Sequence, residues 1–204
     1  MRNLTREDFE QLDRAAVTDL LQRERTARDG YAWDEMASCY HPDSRIEVSW
    51  FQGSGASFTE ASRNNAARGR FSLHHIGACV VTVKDDRAAA DMGCQVLGFN
   101  TLDGADVCVV SHARLIWRAQ RLDGRWLIAG LRMIYLRDAM QACNPSRVPV
   151  LDEAELSRYR TSYRYLSYLL ARSPNPPDSD LPGIDRPETV AILREGEAKW
   201  LQGG

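Results

Sequence analysis

Four β-branched, largely apolar runs follow one another at hairpin spacing, and they restrict the fold more than any other feature. They span His74 to Val83, Ala88 to Phe99, Val107 to Gln120 and Trp126 to Tyr135. Their connectors are Lys84-Asp85-Asp86-Arg87, Leu102-Asp103-Gly104-Ala105 and Leu122-Asp123-Gly124-Arg125. Asp-Gly between alternating runs is the chemistry of a two-residue hairpin, whose central residues need positive φ. Consecutive hairpins make a meander, and the helical periodicities mostly precede it. The expected class is therefore α+β, with helices packed on one face of a strongly curved antiparallel sheet. Such a sheet, closed by helices, leaves a conical cavity in which a ligand belongs.

Thr5, with Asp8 three residues on, is the expected cap of a first helix. From Phe9 to Arg28 the positions Leu12, Ala16, Val17, Leu20 and Leu21 share one face. Asp29-Gly30 ends this helix, with Gly30 as its C-cap. A carboxylate there opposes the helix dipole by up to about 1 kcal/mol, which is odd for a purely structural residue. Trp33 to Tyr40 reads as a second helix, His41 to Ser44 as a turn, Arg45 to Phe51 as a strand and Ser57 to Gly69 as a third helix. After the meander, Asn144 to Pro149 is a linker. Asp152 caps a helix to about Arg172, Ser173 to Pro182 is loop, and Asp185 caps a last helix ending at Trp200-Leu201. Residues 1–143 are thus expected to form the α+β domain and 144–204 a C-terminal helical extension. The aromatics of that extension need burial against the domain or a partner subunit.

Hydrophobic residues make up 44% of the 204-residue chain and charged residues 26%, a globular composition. The formal net charge is -2 with no long basic run, so nucleic acid is not an expected partner. Cys39, Cys79, Cys94, Cys108 and Cys143 form no CxxC pair and no metal-type spacing, and read as core residues in a reducing cytoplasm. No signal-peptide core and no bilayer-length apolar run are evident, so the expected location is cytoplasmic, with no membrane partner. Without a phosphate loop, a nucleophile elbow or a metal cluster, no cofactor and no metal are implied.

The candidate chemistry lies at Ser72 to Gly77, where two of the four histidines stand side by side at the head of a strand. Strand neighbours point to opposite faces, so only one imidazole can face inward. Paired with Asp29, it would form an acid/base dyad. A neutral imidazole takes a proton alpha to a carbonyl or returns one to a leaving hydroxyl, while the carboxylate fixes the tautomer. Such assistance contributes roughly 10²–10⁴-fold in rate. The residues alone also allow a core histidine satisfied by Asp29. His112 and Arg114 share a strand face and could polarise a substrate oxygen if it is inward, or could be exposed or subunit-facing; Arg132 has the same two options. Arg25 and Arg28 read as a solvated helix face, or as ion-pair partners that favour the ionised Asp29. Tyr31 and Tyr40 could hold a carbonyl oxygen, and Trp33, Tyr40, Trp50 and Phe51 could line a cavity or simply form core.

Asp29 at its helix end, Trp33-Asp34, His74-His75-Ile76-Gly77, and the last hairpin from Leu115-Ile116-Trp117 to Gly130-Leu131 together carry a resemblance. The chain resembles the SnoaL-like branch of the nuclear transport factor 2-like superfamily, and within it scytalone dehydratase-like proteins, over roughly Ala15 to Met140. The resemblance implies a cone-shaped α+β barrel. It also implies a cofactor-independent lyase or isomerase acting on a small, mostly apolar cyclic substrate. The family's acid/base pair carries over onto Asp29 and His74, leaving His75 a bystander. Tyr31, Tyr40, Trp50, His112, Arg114 and Arg132 are then the candidate substrate contacts. The family's pocket Ser and Asn on the penultimate strand fall on His112 and Arg114, and its tyrosines on Arg28 and Val48, so the substrate-facing chemistry differs. The chain is also similar to hexachlorocyclohexane dehydrochlorinase through Arg14 to Asp19 and Asp29; that enzyme's catalytic lysine falls on Glu24, which argues against chloride elimination by that route. The implied partners are a small-molecule substrate and further copies of the chain, as a dimer or trimer. Because fold does not dictate function, a non-catalytic small-molecule binder remains open, as does a structural subunit like the small subunits of ring-hydroxylating dioxygenases.

Overall fold

The computed structural model describes residues 5–173 and 180–203. Its centre is the meander β3 (Phe71–Lys84), β4 (Arg87–Leu102), β5 (Ala105–Leu122) and β6 (Arg125–Ala142). Asp103, Gly104, Asp123 and Gly124 all take positive φ between 50° and 76°, so both Asp-Gly turns are of the tight mirror-image type that matches strand twist. The third hairpin closes between Lys84 and Arg87 around Asp85 at φ 52°. Register shifts between Ile76 and Cys79, His112 and Ala113, and Arg118 and Ala119 mark bulges, which bend long strands.

Before the meander come α1 (Arg6–Asp29), α2 (Trp33–Ser38), β1 (Tyr40–Val48), β2 (Phe51–Gly53) and α3 (Gly55–Ala67). The strand order is β2-β1-β6-β5-β4-β3 in one curved, open sheet. It is antiparallel except that β1 runs parallel to β6, which the hairpin spacing could not reveal. The expected turn at His41 to Ser44 is an irregular stretch of β1 between the paired residues Tyr40 and Arg45. The second helix stops at Ser38, because Tyr40 is already in the sheet.

Thr5 and Asp8 form a reciprocal capping box on α1. At the other end Gly30 is the cap at an ordinary φ of -90°, and Tyr31 takes the left-handed position at φ 61°. Tyr31 N–H bonds to Arg28 O (3.3 Å) and Ala32 N–H to Ala27 O (2.8 Å), a Schellman motif closed by a tyrosine where glycine is usual. Leu12 is exposed and so is Ala16, so the buried stripe of α1 begins at Val17. From there Val17, Leu20, Leu21 and Ala27 pack with Met36, Phe58, Leu115, Trp117, Leu131 and Tyr135 in the main core.

Beyond the sheet lie α4 (Glu153–Leu156), α5 (Arg164–Leu170) and α6 (Pro187–Leu201). The single helix expected from Asp152 to Arg172 is therefore two. Asp138 on β6 accepts the Leu166 N–H (2.8 Å), so α5 starts on a cap supplied by the sheet. Between the helices Arg160 reaches Leu181 O (2.8 Å) and Asp185 (2.7 Å), pinning a non-helical segment. Asp185 is consequently engaged by Arg160 and Ser162, and Arg186 stands at the α6 N-cap without a side-chain cap. Tyr163 and Leu181 join the main core, whereas Leu193 of α6 packs on Ile116 and Ile134 on the opposite face of the sheet. The expected loop from Ser173 to Pro182 lies mostly outside the described residues. Among the described residues no helix is long and apolar enough to cross a membrane.

Candidate functional site

The buried stripe of α1 does not end when its aliphatic residues do. After Val17, Leu20 and Leu21 the same helical spacing delivers Glu24, Arg25 and Arg28, and Asp29 follows at the last turn. Facing them is the first half of β3, with His74 turned inward and His75 outward and exposed. Asp29 Oδ1 lies 2.8 Å from His74 Nδ1, and Oδ2 accepts the His74 backbone N–H at 2.7 Å. One carboxylate thus holds both the ring and its backbone, which assigns the proton to Nδ1 and leaves Nε2 as an acceptor.

His74 is 5% exposed. Burial first, and then the charges of Arg28 and Arg25, outweigh Asp29 and hold the imidazole down at about 3. Burial pushes the Asp29 carboxyl up, but its bonds to His74 and the nearby Arg28 guanidinium leave it below the ordinary carboxylate value. At neutral pH the pair is a neutral imidazole on a carboxylate.

Arg28 Nη1 lies 3.2 Å from Ser72 Oγ, 3.4 Å from His74 Nδ1 and 3.5 Å from Asp29 Oδ1. Arg25 Nη1 lies 3.5 Å from His74 Nε2. Glu24 is fully buried and accepts from Arg25 Nε, Arg25 Nη2 and the Tyr40 hydroxyl. Burial and the Glu24 charge hold the Tyr40 phenol well above its usual value, so it remains a donor. The Arg25 guanidinium also sits 5.3 Å from the Trp117 ring and that of Arg28 5.8 Å from the Phe58 ring, within cation–π range.

Arg25, Arg28 and His74 line a cavity of about 940 Å³, large enough for a small cyclic molecule. Its apolar wall includes Trp33, Trp50, Phe58, Val96 and Leu131, and Leu166, Leu169 and Leu170 of the α5 region close one side. Ser62 and Ser111 also line it, each with a buried hydroxyl that has no protein partner among the described residues. Among the described residues no group of three or more His, Cys, Asp or Glu side chains could hold a metal ion.

Of the candidate substrate contacts, Tyr31 and Trp50 line this cavity, and Tyr31 stacks on Trp33 at 5.4 Å. Tyr40 does not: it lies buried behind the wall, bonded to Glu24. His112, Arg114 and Arg132 are corrected to the opposite face of the sheet. His112 is exposed beside Gln95, Arg114 pairs with Asp91, and Arg132 pairs with Glu197 of α6. Side chains alternate along a strand, and on β5 the inward set is Val107, Val109, Ser111, Ala113 and Leu115. Placing the pocket residues one position on therefore chose the wrong face. The uncharged alternate set was the available signal for Ser111, and the continuing helical stripe was the signal for Glu24, Arg25 and Arg28. Arg25 and Arg28 read either as a solvated face or as ion-pair partners, and their burial and the Arg28–Asp29 pair decide for the second.

A model of the SnoaL-like domain matches residues 10–132 of the chain. Pea pathogenicity protein 2 of Fusarium vanettenii is 26% identical over 196 residues, covering 93% of this chain and 84% of that protein. A PEP2-like protein of the same fungus is 28% identical over 163 residues, covering 77% and 69%. Among solved structures, hexachlorocyclohexane dehydrochlorinase LinA-type3 of Novosphingobium barchaimii superposes with a TM-score of 0.56 at 20% identity, over 71% of this chain and 99% of that one. A scytalone dehydratase-like protein of Novosphingobium aromaticivorans gives 0.54 at 14% identity, over 70% and 99%. At such identities the structures share the fold.

Proposed function

The chain belongs to the SnoaL-like family, and from that premise and the Asp29–His74 geometry we propose a cofactor-independent lyase or isomerase acting on a small cyclic substrate. The observation that carries this proposal is a neutral imidazole, held at 2.8 Å by a partly buried carboxylate, on the wall of a cavity of ligand size. His74 Nε2 takes the proton from a carbon alpha to a substrate carbonyl, and the electron pair moves onto the carbonyl oxygen. Asp29 keeps Nδ1 protonated and stabilises the imidazolium that forms. The N–H groups of Arg25 or Arg28 stand near enough to meet the developing oxyanion. In an elimination the enolate re-forms its carbonyl, the β-hydroxyl departs and Nε2 returns the proton to it as water. In an isomerisation the proton returns to a different carbon. By name, one structural relative is a dehydrochlorinase and another dehydratase-like, which favours elimination.

The test needs no known substrate. The protein is incubated in D₂O with a panel of cyclic ketones and 3-hydroxyketones, with α-proton exchange followed by NMR and enone formation by ultraviolet absorbance. Exchange or dehydration is expected with the native chain, falling by about 10²-fold or more in His74→Gln and Asp29→Asn while circular dichroism is unchanged. Turnover retained in both variants would sink the proposal.

One observation favours a second role, that of a binding protein. Burial and two guanidinium groups hold His74 near 3, far below the basicity that suits proton abstraction at neutral pH. Ligand binding that survives both substitutions, with no exchange by the native protein, would support that role.

A further inference from the structure

The dyad leaves the hydrogen bonding of its two neighbouring guanidinium groups unexplained. Arg25 is satisfied along one edge by Glu24, and its Nη1 is left pointing at His74 Nε2 across a long 3.5 Å. Among the described residues Arg28 makes its hydrogen bonds only through Nη1, to Ser72 and Asp29. Its Nε is buried without a partner among the described residues, and its Nη2 makes no hydrogen bond among them. A charged donor left unpaired in a protein wall is costly, and such an atom in a native fold calls for an explanation.

We propose that the cavity takes a carboxylate-bearing cyclic ligand, whose carboxylate is received by Arg28 Nη2 together with Arg25 Nη1. This rests on reading the cavity as the substrate site and narrows the substrate class from an apolar ring to an acidic one. Guanidinium N–H groups make charge-assisted hydrogen bonds to carboxylate oxygens, and two neighbouring guanidinium groups can meet one oxygen each. The charged side chains that line the cavity are mostly cationic, Arg25, Arg28, Arg68, Arg70 and Arg172 with Asp106, although Arg25, Arg28 and Arg172 already pair with Glu24, Asp29 and Glu155. Arg68 and Arg70 are exposed on either side of Gly69 in the α3–β3 turn, and they attract an anion before it enters. The aromatic and aliphatic remainder of the wall accepts the ring. A bound carboxylate also offsets the two positive charges that suppress His74, so an acidic substrate raises the basicity of the imidazole that is to act on it.

The probes are 1-naphthoate, its neutral isostere 1-naphthamide, and 1-naphthyl phosphate, titrated into the full chain at pH 7 by calorimetry. The naphthoate is expected to bind at least about tenfold tighter than the amide, the margin of one charge-assisted contact. Arg28→Gln should abolish that preference, and Arg28→Lys, which keeps the charge and loses the Nη2 donor, should retain only part of it. An Arg68→Gln/Arg70→Gln double variant should lose only part of it, because those residues add charge at the cavity without the direct contact. His74→Gln should keep it as well, which separates failure of this proposal from failure of the dyad. Equal affinity of native protein for acid and amide overturns the proposal. So does a preference that survives Arg28→Gln, is undiminished in Arg28→Lys, or disappears in the Arg68/Arg70 variant. Tighter binding of the phosphate than of the naphthoate overturns the carboxylate assignment.

Discussion

Replacing Glu24 by Gln should be among the most destabilising single substitutions available in this chain, although it changes one heavy atom. Glu24 is 0% exposed and Arg25 is 4% exposed, so neither charge can be rescued by water. The carboxylate accepts from two nitrogens of Arg25 and from Tyr40, and burial is outweighed by Glu24 in keeping Arg25 protonated. An amide in its place turns one acceptor into a donor facing an N–H group, and leaves Arg25 as a buried cation without its counter-charge. Breaking a buried pair in this way costs about 3–5 kcal/mol, a large share of the roughly 5–15 kcal/mol that holds a domain together. Removing both charges, as in Glu24→Leu with Arg25→Met, should recover most of the loss, since well-packed apolar replacements of a buried pair are often neutral. Urea denaturation at pH 7 of the native chain, both single variants and the double variant gives the coupling energy directly. A cost below about 1 kcal/mol for Glu24→Gln, or a double variant no more stable than the singles, would refute the idea that this pair is a desolvated ionic unit.

Three further outcomes are expected. In the folded chain His74 is depressed to about 3 while the unfolded side chain titrates near 6.5, so between these values the unfolded state binds the extra proton. Stability therefore falls as pH drops below about 6.5, and native protein should lose about 2 kcal/mol more than His74→Gln between pH 7 and 5; parallel stability curves would contradict this. Asp29, depressed below its unfolded value, adds a loss of the same sense only below about pH 4. In Gly55→Ala the new Cβ would lie 2.2 Å from Tyr40 Cγ, so thermal denaturation should show a loss of about 1–3 kcal/mol or more, and an unchanged melting temperature would show that α3 can shift freely. Ser111→Ala removes a buried hydroxyl that has no partner among the described residues, so its stability in urea should stay within about 1 kcal/mol of native; a larger loss would reveal a partner for that hydroxyl.

Much of the architecture was legible because its signals are local. Asp103-Gly104 and Asp123-Gly124 announce two-residue turns through the backbone conformations those residues tolerate, and they take those conformations. The Thr5–Asp8 box and the helical periodicity likewise placed α1. What stayed illegible depended on distant partners. The helix expected up to Arg172 breaks because Asp138 and Asp185, from β6 and the approach to α6, take over the hydrogen bonding of residues 160–166. Glu24, Arg25 and Arg28 sat on the buried stripe of α1, yet charged residues are so seldom buried that the pattern was read against them.

By itself the sequence determined the first helix, the four-stranded meander, the hairpin register set by its turns, and the presence of an Asp and a His able to share a proton. Each of these follows from short-range constraints on φ and on hydrogen bonding. Tertiary structure alone decided that Asp29 reaches both the ring and the backbone of His74, because a helix end and a strand 45 residues away must be docked first. It also decided which face of β5 looks into the cavity, since alternation fixes the difference between faces but only packing chooses the inner one. Ser111 is inside and His112 outside for that reason. The acidic preference proposed for the cavity has the same origin. Two arginines near a helix end are unremarkable in a sequence, and they become a site only when the fold takes the water away from them.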